Sequence, residues 1–282
     1  MLVPEIPEIR AHAERLTEQY AGAELKAFRA LSFTALKTFD PPPEAAVGRP
    51  LDSVTQRAKY LRLHFGDVAF VVHLMQGGRL RDDPKQARKP RGGLVRWVFT
   101  DGRALLLTEP GTEHRAGVWV VKGDPDVQPP IDEVGPEADT LDADELLALL
   151  NGRTMRLHGF LRQQRILAGL GRRLANEICY QARLSPMVQT SKLGPAEAAR
   201  LVDAIRLVVD EGLAYDRTRD DMSSSAERPS IVHGRAGERC PDCDCDDQIR
   251  SVEYRKYRID YCPARQTEGK VLADNTTSRF LK

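Results

Sequence analysis

Short runs of alternating apolar and polar residues dominate the first half of the chain, and they leave few folds open. Leu61, Leu63 and Phe65 interleave with Arg62 and His64, Gly66-Asp67 supplies a turn, and residues 68–74 return as a more continuously apolar run. A period of two sends successive side chains to opposite faces of a strand, so one face can be buried while the other is wet. Residues 94–99 and 103–108 make a second pair about Asp101-Gly102, and residues 118–122 add another strand. Strands this short and this closely spaced bury their apolar faces by packing sheet on sheet, as a β-sandwich.

Two other periodicities flank this region. Residues 8–20 read as an amphipathic helix, with Ile9, Ala13, Leu16 and Tyr20 on one face. After the Pro- and Asp-rich stretch 123–136 the pattern becomes helical at 143–150 and 201–211, and residues 159–186 read as helix, glycine-rich turn, helix. The expected fold class is therefore α+β with several domains. A β-sandwich with a flanking helix occupies 1–135, a helical domain 136–230, and a cysteine-bearing hairpin with a basic tail 231–282.

Composition sets limits without choosing a function. The 282 residues are enough for more than one core, and 41% hydrophobic with 29% charged is ordinary for a globular chain. With no run of about 18 apolar residues and no basic-then-apolar leader, the expected location is the cytoplasm. A net charge of +1 gives no global attraction to nucleic acid. Any such binding must come from local clusters: Arg88-Lys89-Pro90-Arg91, residues 162–173 and residues 250–258, offset by the acidic stretch 132–145. Taken singly, each cluster is also what a solvated surface looks like.

Chemistry concentrates at the start, in Pro4-Glu5-Ile6-Pro7-Glu8-Ile9. A proline inside a chain has an amide nitrogen, planar and without a proton, whereas a proline at a free N-terminus is a secondary amine. An α-amino group titrates near ~7.7–8.0, so part of it is neutral at physiological pH and able to attack an electrophilic carbon as a Schiff-base catalyst. Met1-Leu2-Val3 stand in the way. A bacterial GTG start at Val3, followed by removal of the initiator, would free Pro4. The competing reading is that Pro4 and Pro7 only shape a helix entrance.

The glycine-rich turn is a second candidate. Gly169-Leu170-Gly171 lets amides at a helix start point outward, where unpaired N–H groups and the helix dipole favour a phosphate. Gly-x-Gly turns also merely connect helices. Four cysteines, Cys240, Cys243, Cys245 and Cys262, crowd the C-terminal part. Cys179 sits among apolar neighbours and reads as a small buried hydrophobe.

Matches in order extend these features over nearly the whole chain. After the opening segment come Gln56-Arg57-Ala58-Lys59-Tyr60-Leu61, His73-Leu74 with Gly78-Arg79-Leu80, Arg115 with Gly117 and Trp119, and Gly135-Pro136-Glu137. Gly159-Phe160-Leu161 through Gly169-Leu170-Gly171 follow, then Val232-His233-Gly234-Arg235-Ala236-Gly237-Glu238 running into Cys240. This series resembles the formamidopyrimidine-DNA glycosylase / endonuclease VIII family, base-excision repair enzymes that work through an N-terminal proline.

The resemblance implies roles. Pro4 is the nucleophile, Glu5 the adjacent acid/base, Glu8 a second carboxylate near the sugar, and Lys59 an amine near the lesion and the phosphate, with a reserve capacity for Schiff-base chemistry. The 159–186 unit becomes a helix-two-turn-helix element gripping the DNA backbone through Gly169 and Gly171. There Arg172 replaces the family's asparagine and is expected to meet phosphate. Residues 240–262 become a zinc-finger-like β-hairpin in which Arg258, or Arg255, contacts phosphate. The implied activity is a bifunctional glycosylase and abasic-site lyase acting as a monomer on double-stranded DNA with a damaged base or an abasic site.

Departures from the family pattern narrow this. Gln76, with Met75 one position early, and Arg115-Ala116 stand where a Met and an Arg-Phe pair fill the gap left by an extruded base. Ala116 cannot wedge, so 8-oxoguanine opposite cytosine is not the expected substrate. Oxidised pyrimidines, ring-opened purines or abasic sites are, with Gln76 and Arg115 filling the void. The fourth zinc cysteine is replaced by Arg265, leaving Cys240, Cys243 and Cys262 with Cys245 to complete a set and His233 as an outside candidate. Residues 216–229, rich in Ser, Asp and Arg, resemble a loop that caps an extruded base. Two other readings stay open: a family member that binds bent or damaged DNA without chemistry, and an RNA-binding protein using the same helix-turn element.

Overall fold

The computed structural model describes residues 3–110, 115–222, 227–241, 247–254 and 257–273. The chain divides into two compact units, Met1–Val134 with Gly212–Arg228, and Gly135–Glu211 with Pro229–Lys282.

In the first unit, helix α1 (Ile6–Tyr20) begins two residues earlier than its apolar period suggests. Glu5 at the N-cap and Glu8 at the third helical position form a capping box, each accepting from the other's backbone N–H, and Pro7 occupies the first turn, where no N–H is needed. The strands are β1 (Leu25–Ala30), β2 (Ser53–Arg57), β3 (Tyr60–Phe65), β4 (Val68–His73), β5 (Arg79–Asp82), β6 (Gly93–Phe99), β7 (Ala104–Thr108) and β8 (Gly117–Lys122). They form two four-stranded sheets, in the orders β1-β6-β7-β5 and β2-β3-β4-β8, with every named pairing antiparallel.

The sandwich core lies between these sheets and is closed by α1. Leu61, Leu63 and Phe65 pack in one apolar cluster with Trp97, Leu105 and Leu107 of the opposite sheet and with Ile9, Ala13 and Leu16 of the helix. Trp97 meets Phe28 and Phe70 edge-on, with ring centroids 5.4 Å and 5.7 Å apart. Edge-to-face pairs of this kind contribute about 0.5–1.5 kcal/mol beyond their burial. The alternation read for residues 60–65 is observed as strict alternation of burial along β3.

The second unit carries α2 (Ala143–Asn151), α3 (Leu157–Leu161), α4 (Arg172–Gln181), most of α5 (Pro195–Arg217), β9 (Arg250–Tyr254), β10 (Tyr257–Tyr261) and α6 (Pro263–Thr267). Asp142 and Glu145 form a capping box at the start of α2. β9 and β10 pair antiparallel, from Tyr257 opposite Tyr254 to Tyr261 opposite Arg250. Val252, Ile259 and Tyr261 pack on one face of that hairpin. Cys179 is fully buried and burial pushes its thiol pKa up, as a structural cysteine requires. Among the described residues no helix is long and apolar enough to cross a membrane.

Candidate active site and nucleic-acid interface

The register of one sheet collects several of the candidate residues at one end. Arg57 pairs with Tyr60, Tyr60 with His73, and His73 with Gly117, so these positions line the same end of β2-β3-β4-β8. Lys59 sits in the β2–β3 turn beside Ala58, whose φ of 52° marks a left-handed turn residue. Gln76 follows β4 and is exposed; Arg115 precedes β8 and is exposed. Ala116 next to it is fully buried, its N–H donating to Glu109 Oε2 at 2.7 Å, so it presents no wedge. His73 belongs to the same group. Its imidazole is held neutral, its pKa lowered to about 4 first by burial and then by the Lys59 charge.

Helix α1 brings its N-terminus to that end. Thr17 Oγ1 bonds Val54 N and O at 2.8 and 2.9 Å, while Arg10 Nε reaches Gln56 Oε1 at 3.4 Å. The helix therefore runs antiparallel to β2, and Pro4 and Glu5 lie towards the Lys59 turn. Gln56 Nε2 continues the link to Ala58 O at 2.8 Å.

The turn bearing Gln76 needs its glycines. A Cβ on Gly78 would stand 2.2 Å from Leu74 O, the same carbonyl that Gly78 N–H bonds at 2.8 Å. Only glycine lets the chain fold back this tightly after β4.

The start of α1 carries a buried charge cluster. Pro4, Glu5 and Glu8 are all buried. Glu8 Oε2 accepts the Glu5 N–H at 3.0 Å, and Glu8 Oε1 pairs with Arg228 Nη2 at 2.9 Å. Arg228 Nη1 also approaches Asp216 Oδ2 at 3.4 Å, with all three side chains almost wholly out of solvent. Burial is the main reason the Glu8 carboxyl is raised to about 7; Arg228 opposes this, while Glu5 and Asp216 add to it. Neither Arg228 nor Asp216 is singled out by the sequence motifs. Their stretch reads as a polar loop, yet Asp216, Met222 and Arg228 are buried. Arg228, one of three arginines in a segment rich in Ser, Asp and Arg, carries no periodicity that would single it out.

In the second unit, the glycine-rich turn expected to meet phosphate leads directly into α4. Gly169 has a φ of 89°, and Gly171, which has no side chain to cap with, is the N-cap of α4. Arg172 stands at the first helical position, partly exposed. Gln164 braces the turn, its Oε1 accepting Gly169 N–H at 2.9 Å and its Nε2 donating to Leu170 O at 2.8 Å. Glu177 is a polar anchor: its carboxylate accepts from the N–H groups of Ile231, Val232 and His233 at 2.9, 3.0 and 2.8 Å. Arg258 is exposed on β10, its Nε shared between Ser251 Oγ at 2.8 Å and Asp260 Oδ1 at 3.1 Å.

Of the cysteines, Cys240 and Cys262 come together in a buried cluster with Tyr180, Val232 and Ile249. Tyr180 Oη lies 3.2 Å from Cys240 Sγ, and the two thiols are within hydrogen-bonding reach of each other. Arg265 turns to Tyr180, its guanidinium 4.4 Å from the ring centroid and its Nε donating to Tyr180 O at 3.2 Å. His233 Nδ1 is engaged by Asn176 Nδ2 at 2.8 Å. Cys243, Cys245 and Arg255 lie outside the described residues. Zinc wants four ligands. The described pair supplies two thiols in reach of one another, and a fit depends on Cys243 and Cys245 for the rest.

Known proteins match along these same segments. The family model for the formamidopyrimidine-DNA glycosylase N-terminal domain matches residues 3–113. A formamidopyrimidine-DNA glycosylase of Alkalilimnicola ehrlichii is 32% identical over 79% of this chain and 85% of its own length. One from Laribacter hongkongensis is 29% identical over 94% of this chain and all of its own. Among solved structures, the wild-type Lactococcus lactis Fpg bound to DNA containing N7-benzyl-Fapy-dG superposes with a TM-score of 0.83 at 21% identity, over 94% of this chain and 100% of that one. This last likeness bears on the fold. With a relative above 30% identity matched over most of its length, the chain belongs to the formamidopyrimidine-DNA glycosylase family.

Proposed function

We propose that this protein is a bifunctional DNA glycosylase and abasic-site lyase that excises oxidised or ring-opened bases through a Schiff base on Pro4. The observation that carries the proposal is the convergence at one sheet end of the α1 N-terminus, Lys59, Gln76 and Arg115. An amine, a carboxylate, cations and a polar filler are the groups this chemistry needs. The named activity of the relatives and the DNA in the superposed structures support the same reading.

The Pro4 nitrogen, free only if the mature chain begins there, attacks the anomeric carbon; the glycosidic electrons leave with the base, and ring opening gives an iminium. Glu5, held at the helix N-cap where the dipole favours a carboxylate, moves protons during ring opening. The iminium acidifies the adjacent carbon, so loss of that proton expels the 3′ oxygen by β-elimination, and δ-elimination then releases the 5′ side. Extrusion of the nucleotide costs a few kcal/mol, offset in part by the damage. Gln76 and Arg115 occupy the gap, Lys59 engages the flanking phosphate, and the α4 N-terminus with Arg172 and Arg258 holds the backbone.

Zinc, if held, would be bound by Cys240, Cys243, Cys245 and Cys262 and would act as a structural cross-link of the hairpin. A second reading is a member that binds damaged or bent DNA without cutting it, which would hold if Met1-Leu2-Val3 stay attached and leave Pro4 as an amide.

Borohydride trapping on an abasic duplex separates the two. Protein beginning at Pro4 is expected to form a covalent adduct, abolished in Pro4→Gly with an added N-terminal acetyl cap. Absence of an adduct from the Pro4-first protein, with DNA binding intact, would leave only the binding reading.

A further inference from the structure

In the second unit a cavity of about 570 Å³ opens between the α3 segment and the β9–β10 hairpin. This is within the usual size of small-ligand sites. It is lined by Arg156, Arg162, His158, Tyr254 and Tyr257, with the amides of Gln163 and Gln189 and a few smaller groups, and no carboxylate lines it. Its chemistry therefore suits a planar, hydrogen-bonding, anionic ligand.

Three features make it a built site. The Arg162 guanidinium lies 3.9 Å from the Tyr257 ring centroid, a cation stacked on an aromatic face, while Tyr257 remains 40% exposed. His158 is only 1% exposed, and its Nε2 has no hydrogen-bond partner among the described residues. A ring nitrogen buried without a partner is unfavourable, and a ligand reaching it would remove that cost. Burial, with Arg162 beside it, lowers the His158 pKa to about 3, so the ring stays neutral. The same ring interacts with the Arg172 backbone and the Asn176 side chain at the start of α4, so the cavity wall formed by His158 backs onto the helix whose N-terminal turn is assigned to phosphate. Arg258, the other assigned phosphate contact, alternates with Tyr257 and Ile259 along β10 and projects from the opposite face.

We propose that this cavity binds an unpaired nucleotide of the DNA strand, its base stacked against the Arg162–Tyr257 pair and hydrogen-bonded to His158 Nε2 and the glutamine amides, its phosphate on Arg156. The inference rests on the DNA-binding reading above and extends it: the ligand is duplex DNA carrying a single-stranded flank. Stacking on an aromatic is worth about 1–3 kcal/mol per base, or roughly 5- to 150-fold in affinity.

The test is fluorescence anisotropy with the full chain and a duplex containing a tetrahydrofuran abasic analogue. The duplex is made blunt, with a four-nucleotide 5′ overhang, or with a four-nucleotide 3′ overhang. Wild type is expected to bind one overhang polarity about tenfold tighter than the blunt duplex. Tyr257→Ala should lose that advantage and keep blunt affinity, and Tyr257→Phe should restore it. Equal binding of all three duplexes by wild type, or an advantage that survives Tyr257→Ala, overturns the proposal. So does dAMP at millimolar concentration abolishing the advantage, which would assign the cavity to a free nucleotide. Failure of wild type to bind the blunt abasic duplex would instead count against the DNA-binding reading itself.

Discussion

Replacing Arg228 with methionine removes the cation that serves two buried carboxylates at once. In the wild type its guanidinium lies 2.9 Å from Glu8 and 3.4 Å from Asp216, and none of the three side chains has appreciable access to water. Methionine fills much of the same volume, so the loss is electrostatic rather than steric. Removing one partner of a buried ion pair typically costs about 3–5 kcal/mol, because the remaining charge is left uncompensated.

The pH dependence gives the loss a signature. The Glu8 carboxyl is displaced from 4.5 to about 7 in the folded protein, so between those values the folded state holds a proton that the unfolded state has released. Its contribution to stability is full below about 4.5 and is lost as pH rises through 7. At about 1.36 kcal/mol per unit this is on the order of 3 kcal/mol. Because Arg228 pulls the Glu8 value down, Arg228→Met raises it further. The variant is therefore expected to lose 3–5 kcal/mol at pH 8 and no more than about half of that at pH 5, where Glu8 is already protonated. Urea denaturation at the two pH values reads this directly. A loss below about 1 kcal/mol at pH 8, or the same loss at both, would refute the reasoning.

Other outcomes follow from the same geometry. Glu8→Gln should flatten the stability profile between pH 4.5 and 7, since the group that titrates there is gone; an unchanged slope in thermal melts would contradict the raised value. Gly78→Ala should cost about 1–3 kcal/mol from the clash with Leu74 O, measured by the same denaturation. Arg172→Ala should lower the slope of log affinity against log salt on duplex DNA by about 0.9, the value of one phosphate contact. Metal analysis should find about one zinc per chain, lost in Cys240→Ser; zinc-free wild type would rule out the four-thiolate set.

What was legible in the sequence was what periodicity or turn chemistry encodes. The β3–β4 and β6–β7 hairpins announce themselves because Leu61, Leu63, Phe65 and the 94–99 run alternate or cluster about Gly66 and Gly102. β1, β2 and β5 do not, since each buries only one residue fully, Leu25, Val54 and Leu80, too few to set a period. The apolar repeat starts helix α1 late because its true start is fixed by the reciprocal bonds of Glu5 and Glu8, a local arrangement and not an apolar repeat. The candidate residues Pro4, Lys59, Gln76 and Arg115 were found through family motifs, and their convergence comes from strand register, which no single segment carries. Arg228 lies 220 positions from Glu8. Such a pairing exists only once the chain is folded, and residues 216–229 accordingly read as a polar loop.

The most direct measurement is the position of the covalent bond. Protein beginning at Pro4 is reduced with borohydride on an abasic duplex, digested, and the adduct mapped by tandem mass spectrometry. The account predicts a deoxyribose remnant on the Pro4 nitrogen. A remnant on Lys59, or on any other amine, would contradict it.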